Sequence, residues 1–176
     1  MATTKWVIDP SHSEITFKVK HMMFTNVSGK FEKFSAEATT EGDDFNNASF
    51  SFTADAASVN TGSADRDGHL KSDDFFKTGE HPEISFKSTA FTKESESDYK
   101  LTGDLTVRGV TKPVTLDVDF GGIGKDPFGN VKAGFSAKGK INRKDFGLTW
   151  NAALETGGVL VSDEVKMDIE AQFVKQ

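Results

Sequence analysis

Cysteine is absent from the 176 residues of this chain. Disulfide staples, thiolate metal centres and a cysteine nucleophile are therefore excluded, and stability has to come from packing and backbone hydrogen bonds. Proline is scarce, at four residues, and no Pro- or Gly-rich linker divides the sequence, so residues 1–176 read as one domain. No run approaches the ~18 apolar residues that a membrane-crossing helix requires, so insertion into a bilayer is not expected. Positive charge is also in deficit: 21 Lys and Arg stand against 27 Asp and Glu, for a net charge of −6. The basic residues alternate with apolar ones and do not cluster, which argues against nucleic acid as a partner. The segment Met1–Trp6 lacks the apolar core of a signal peptide. A cytoplasmic location is expected for the chain as written, and a periplasmic one if it is a trimmed mature chain.

Phenylalanine, in contrast, is in excess. Sixteen Phe accompany two Trp and a single Tyr, so most of the rings carry no polar atom. Interfaces that face water favour Tyr and Trp, whereas Phe offers only apolar surface. The excess belongs to a core or to a cavity for something apolar.

Period-two alternation runs through the chain. Ile15, Phe17 and Val19 share one face, with Glu14, Thr16, Lys18 and Lys20 on the other, the pattern of a half-buried strand. A first short strand is expected at Lys5–Asp9. Val27, Gly29 and Phe31 are in one phase and Phe34, Ala36 and Ala38 in the opposite one, which predicts a bulge near Glu32–Lys33. Further sets follow at Ala48–Ala54, Ile84–Ala90, Leu101–Val107, Val114–Phe120, Val131–Ile141 and Val165–Phe173. Arg108–Gly109 predicts a hairpin turn. Ser63–Phe76 breaks the rhythm, and its early Asp65 and Asp67 fit a short helix. Eight or nine strands joined by short turns imply an all-β, antiparallel sheet, closed into a barrel or folded into a sandwich. Gly103, Gly139, Ala54, Ala90, Ala133, Ala137 and Ala171 fall on the apolar faces. They leave room for a ligand or for tight packing of neighbouring rings, and the pattern alone does not choose.

Catalytic motifs are weak. Gly121–Lys125 has glycine spacing too short for a phosphate loop, and Ser136 sits mid-strand, not on a nucleophile elbow. His12, His21, His69 and His81 lack i, i+2 or i, i+4 spacing, so neither a local metal site nor a cofactor is expected. The pair Asp73–Asp74 reads as solvated.

The residues that interrupt the alternation resemble a known family. Asp9-Pro10-Ser11-His12-Ser13, then His21 with Val27-Ser28-Gly29-Lys30-Phe31, are similar to the opening motifs of the YceI-like, polyisoprenoid-binding proteins of bacteria. Arg66-Asp67-Gly68-His69-Leu70-Lys71-Ser72, Asp74-Phe75-Phe76, Leu105–Val114, Ile141–Leu148 and Asp163-Glu164-Val165 follow in the family's order. The resemblance implies a lipocalin-like antiparallel β-barrel of about eight strands with one short helix near its mouth. It also implies a long isoprenoid or other lipid chain in the lumen, no catalysis and frequent homodimers. On that reading the lumen is lined by Ile15, Phe17 and Val19; by Phe50, Phe52 and Phe86; by Leu105, Val107, Leu116 and Val118; and by Phe135, Phe146, Trp150 and Met167. A charged head group would meet His21, Arg66, His69 and Arg143 at the mouth. Two other readings are an enzyme acting on an isoprenoid-type lipid, with His12, His69 and Arg66 converging, and a ligand-free structural or interaction barrel.

Overall fold

The computed structural model describes residues 2–155 and 158–176. In chain order the strands are β1 (Thr3–Ile8), β2 (Glu14–His21), β3 (Thr25–Phe31), β4 (Phe34–Glu41), β5 (Asp44–Asp55) and β6 (Val59–Asn60). The helix α1 (Ala64–Lys71) follows, then β7 (Glu83–Lys93), β8 (Asp98–Val107), β9 (Val110–Lys125), β10 (Val131–Asn142) and β11 (Glu164–Lys175). All pairings are antiparallel. The order β1-β4-β5-β7-β8-β9-β10-β11 returns to β1, which closes an eight-stranded barrel, and β2, β3 and β6 extend from β11.

Closure depends on one strand that is broken and continued. β11 pairs with β2 through Ile15↔Ile169 and Met167↔Phe17, and with β1 through Ile8↔Phe173. Between them, Asp9–Ser13 forms a corner. The Asp9 carboxylate accepts from Ser11 N (3.0 Å), Ser11 Oγ (2.6 Å), His12 Nδ1 (2.8 Å) and Lys132 Nζ (3.0 Å). Pro10 supplies the fixed φ that suits a first helical position. With Ser11, His12 and Lys132 all stabilising its charged form, Asp9 titrates well below the usual carboxylate range.

Several local expectations are met and several are corrected. Arg108 and Gly109 both have positive φ (51° and 73°) and join β8 to β9 in a two-residue hairpin. The phase change at Glu32–Lys33 is not a bulge. β3 ends there, and β4 starts with different neighbours, because β3 pairs with β2 and β6 while β4 pairs with β1 and β5. The corner is held by Glu32 N and Lys33 N, which donate to Ser58 O (3.2 Å) and Ser58 Oγ (3.0 Å). A true bulge lies at Ser88–Ala90. It turns Ala90 outward to an exposed position and brings Phe91 into the core. The helix is shorter than Ser63–Phe76: Ser63 Oγ accepts from Arg66 N (3.3 Å) at its start, and it stops at Lys71. Eight residues do not hold a helix alone. Asp67 Oδ1 ties this one down by accepting from Thr61 N (2.9 Å) and Thr61 Oγ1 (2.6 Å).

Inside the barrel the buried residues form two clusters. One gathers Trp6, Phe45, Phe91, Tyr99, Phe135 and Phe173 where β1 meets β11. The other gathers Phe31, Phe75, Phe86, Leu105, Val107 and Phe146 at the end that carries α1. Two of the inward glycines are already filled by neighbours. A Cβ at Gly103 would lie 2.5 Å from the Phe86 ring, and one at Gly139 would collide with Leu116 Cδ2.

Candidate ligand-binding cavity

Between the two clusters runs a cavity of about 560 Å³, within the ~300–1,000 Å³ of small-molecule sites. It is elongated. Val165 and Phe173 of β11 both touch it, and eight steps of about 3.3 Å separate them. The wall is almost wholly carbon, because each strand turns its apolar phase inward. Ile15, Phe17 and Val19 come from β2, Phe50 and Phe52 from β5, and Phe86 from β7. Leu105 and Val107 come from β8, Leu116 and Val118 from β9, Phe135 from β10 and Met167 from β11. Ala54, Ala137 and Ala171 also face the space. The small inward residues therefore serve both uses: the alanines border the cavity, and Gly103 and Gly139 pack against side chains.

Phe50, Phe135 and Phe173 form the floor, with ring centroids 5.7–5.9 Å apart. Trp150 closes the opposite end from the segment that follows β10, beside Phe75 (5.6 Å). Phe146 lies off the wall. The short helix Arg143–Phe146 turns its ring into the second cluster, 1% exposed. Phe75, Phe76, Phe91, Leu70 and Leu148 also border the cavity, although the alternation of the sequence does not single them out. The adjacent rings after the helix were the available signal for the first two. For Phe91 it was an aromatic one residue out of phase.

The mouth carries the polar groups. Arg66 borders the cavity and is exposed. Its Nε donates to Thr61 Oγ1 and its Nη2 to Thr61 O, both at 2.8 Å. Among the described residues it has no ion pair, so half of its fork is free. His69 Nε2 lies 2.8 Å from Asp74 Oδ2, so Asp74 is a partner to the imidazole and not simply a solvated carboxylate. The His69 ring meets Trp150 edge-on at 4.7 Å. His21 borders the cavity, and its backbone bridges to Val161.

Arg143 plays a different part from the one expected. Its side chain is 3% exposed. Nε donates to Ser162 O (2.9 Å), Nη1 to Leu148 O (2.6 Å) and Trp150 O (2.8 Å), and Nη2 to Val161 O (3.3 Å). Burial pushes its pKa down, with Asp163 opposing. A guanidinium so occupied clamps Leu148, Trp150, Val161 and Ser162 together at the mouth and has little left to offer a head group. His12 is elsewhere, bound to Asp9 at the outer corner, so it does not converge with His69 and Arg66. Among the described residues no three His, Cys, Asp or Glu side chains come together as a metal site, and no helix is long and apolar enough to cross a membrane.

A family model described as "YceI-like domain" matches residues 6–173. The UPF0312 protein SA2479 of Staphylococcus aureus (strain N315) is 38% identical over 171 residues, 97% of each chain. The crystal structure of the Campylobacter jejuni YCEI protein is similar at 35% identity and a TM-score of 0.78, over 89% of this chain and 90% of that one. A polyisoprenoid binding domain from Saccharophagus degradans shares the fold at 16% identity and a TM-score of 0.64, over 97% and 98% of the two chains.

Proposed function

This chain belongs to the family of YceI-like domains, and on that footing we propose that it holds one long-chain lipid of the isoprenoid type in its barrel, without chemistry, for carriage or sequestration. The observation that carries this reading is the shape and lining of the cavity: elongated, walled almost wholly by apolar side chains, with the charged Arg66 and the His69 imidazole at its mouth. Each methylene buried there contributes roughly 0.8 kcal/mol, so about ten carbons support firm binding after the chain's lost freedom is counted. The free half of the Arg66 fork, with His69 held upright by Asp74, suits a phosphate or carboxylate head. The polyisoprenoid named for the Saccharophagus domain supports the class of chain, through the shared fold.

Solvent extraction of the purified protein, followed by mass spectrometry, tests this directly. One long-chain lipid per protein is expected, and Arg66→Ala shifts the extract toward lipids with uncharged heads. An extract without lipid, together with no uptake of polyprenyl or fatty chains by the emptied protein, overturns the reading.

A further inference from the structure

The turn between β2 and β3 spends its most exposed positions on apolar side chains. Phe24 is 78% exposed and Met23 57%, with Met22 beside them and Val159 facing solvent nearby. The same turn holds Met22 and Met23 at positive φ, 52° and 63°, and Phe24 N–H donates to His21 O across it (3.1 Å). Asn and Gly tolerate such a pair of positions, whereas large side chains resist it. The sequence therefore keeps methionine where local preference and solvent both oppose it, a conflict that points to function. The turn is also built into the mouth. Met22 N–H donates to Leu160 O (2.7 Å), and the Met23 thioether fills the space where a Cβ on Gly158 would collide with it. His21, Leu160 and Val161 all border the cavity.

Behind this tip the outer face of the barrel is basic. Lys140, Lys166 and Lys18 are direct cross-strand neighbours on β10, β11 and β2, and Lys20 lies on the same face as Lys18, nearer the tip. Like charges placed opposite each other destabilise a sheet. Lys140 pairs with Glu164 (3.4 Å) and the neighbouring Lys144 with Asp163 (3.4 Å), while Lys18, Lys20 and Lys166 have no carboxylate partner among the described residues. Lys20 and Lys18 lie two and four residues before Met22, about 7 and 13 Å at strand rise. An apolar tip buried ~5–10 Å into a bilayer interface puts those ammonium groups at the level of the lipid phosphates. On a protein of net charge −6, this local excess of lysine matches an anionic surface.

We infer that the Met22–Phe24 tip and the Lys18–Lys20–Lys166 face dock the barrel, mouth first, on an anionic lipid bilayer. The test is co-sedimentation with vesicles of phosphatidylcholine plus phosphatidylglycerol, against vesicles of phosphatidylcholine alone. The wild-type protein sediments with the anionic vesicles and much less with the neutral ones. A tip variant, Met22→Asn with Met23→Gly and Phe24→Ser, melts no earlier than wild type because its turn is relaxed, yet binds at least tenfold more weakly. Lys18→Gln with Lys166→Gln loses about 25-fold, roughly fivefold for each charge near the surface, and most of the salt sensitivity with it. No sedimentation of the wild type, or sedimentation of both variants equal to that of the wild type, overturns the inference. So does a tip-dependent dimer seen by light scattering without vesicles, which assigns the tip to a second copy. Lipid recovered by extraction is a separate readout, so loss of docking with an unchanged extract leaves the cavity reading standing, and the reverse result leaves docking standing.

Discussion

Where β1 closes onto β11, Trp6 is wholly buried against Phe45 at 4.9 Å, and Phe45 meets Phe135 at 5.1 Å. At the other end Phe31 meets Phe76 and Phe75 meets Trp150 at 5.6–5.9 Å, with His69 and Arg66 between these rings and solvent. Both ends draw on the same excess of aromatics. What separates them is the backbone around the rings. The closed end is ringed by paired strands with alanines at positions 36, 38 and 133 between the large side chains, so the rings can meet and seal. The open end is roofed by an eight-residue helix and an irregular segment, where the rings meet polar side chains, as Trp150 meets His69 at 4.7 Å. Phe is therefore a plug where the sheet closes and a wall where it does not.

On that contrast, removing a ring has different consequences at the two ends. Trp6→Ala removes the largest buried side chain and the donor of the Trp6 Nε1 to Thr40 Oγ1 hydrogen bond (2.9 Å), and should cost about 3–5 kcal/mol of unfolding free energy. Trp150→Ala, at the half-buried rim, should cost about 1 kcal/mol while releasing bound lipid faster. Urea titration reads the first quantity, and lipid retention during gel filtration reads the second. Equal destabilisation at both ends would mean that the rim is core.

A second break concerns the roof. Arg143→Ala leaves the carbonyls of Leu148, Trp150 and Ser162 without their donor, while Val161 O keeps Asn151 Nδ2 at 2.7 Å, for an expected loss of about 2–3 kcal/mol. Arg143→Lys should recover only part of it, because a single ammonium cannot replace the guanidinium fork. Limited proteolysis should find the stretches 148–151 and 160–162 cut first in both variants, with the strands intact. If Lys restores full protection, the clamp is a matter of charge and not of the fork.

Arg143 also shows where the sequence was legible and where it was not. Alternation gives the face of a residue, and that sufficed for the barrel strands and for most of the wall, since Phe17, Leu105 and Met167 each lie in an unbroken run. It gives no neighbours. That β1 and β2 are one strand bent at Asp9, and that the phase change at Glu32 is a corner, depend on pairings made across the barrel. Bulges reverse the phase of the residues beyond them: Phe91 comes in only because the ladder slips at Ser88–Ala90. Phe45 is similar, set off from the Ala48 phase by Asn47 at φ 65°. Irregular segments have no period at all. In sequence Arg143 reads as a residue of the mouth and Phe146 as one of the lumen, and only the fold of the short helix shows that one clamps and the other fills the core.

The smallest expected effect lies outside the barrel, at the closed end. Asp9 is held below its ordinary carboxylate range by Ser11, His12 and Lys132, so its folded pKa lies under the unfolded value of about 3.8. The charged form is the one that folding favours, and its contribution is therefore complete above about pH 4 and is lost as the pH falls further. Lys132 is the mirror case: Asp9, first through its hydrogen bond, raises it above 10.5, and that part persists until alkaline pH and then fades. Asp9→Asn should lower stability at pH 7 and flatten the loss between about pH 4 and 2, so that the curves of variant and wild type converge in acid. Thermal melts across that interval measure it. Because Asp9 pins the corner that lets β1 and β2 share β11, a curve that does not converge would show that the corner is held by Pro10 and the strand pairing alone, and that the closed end owes its seal to packing without electrostatic help.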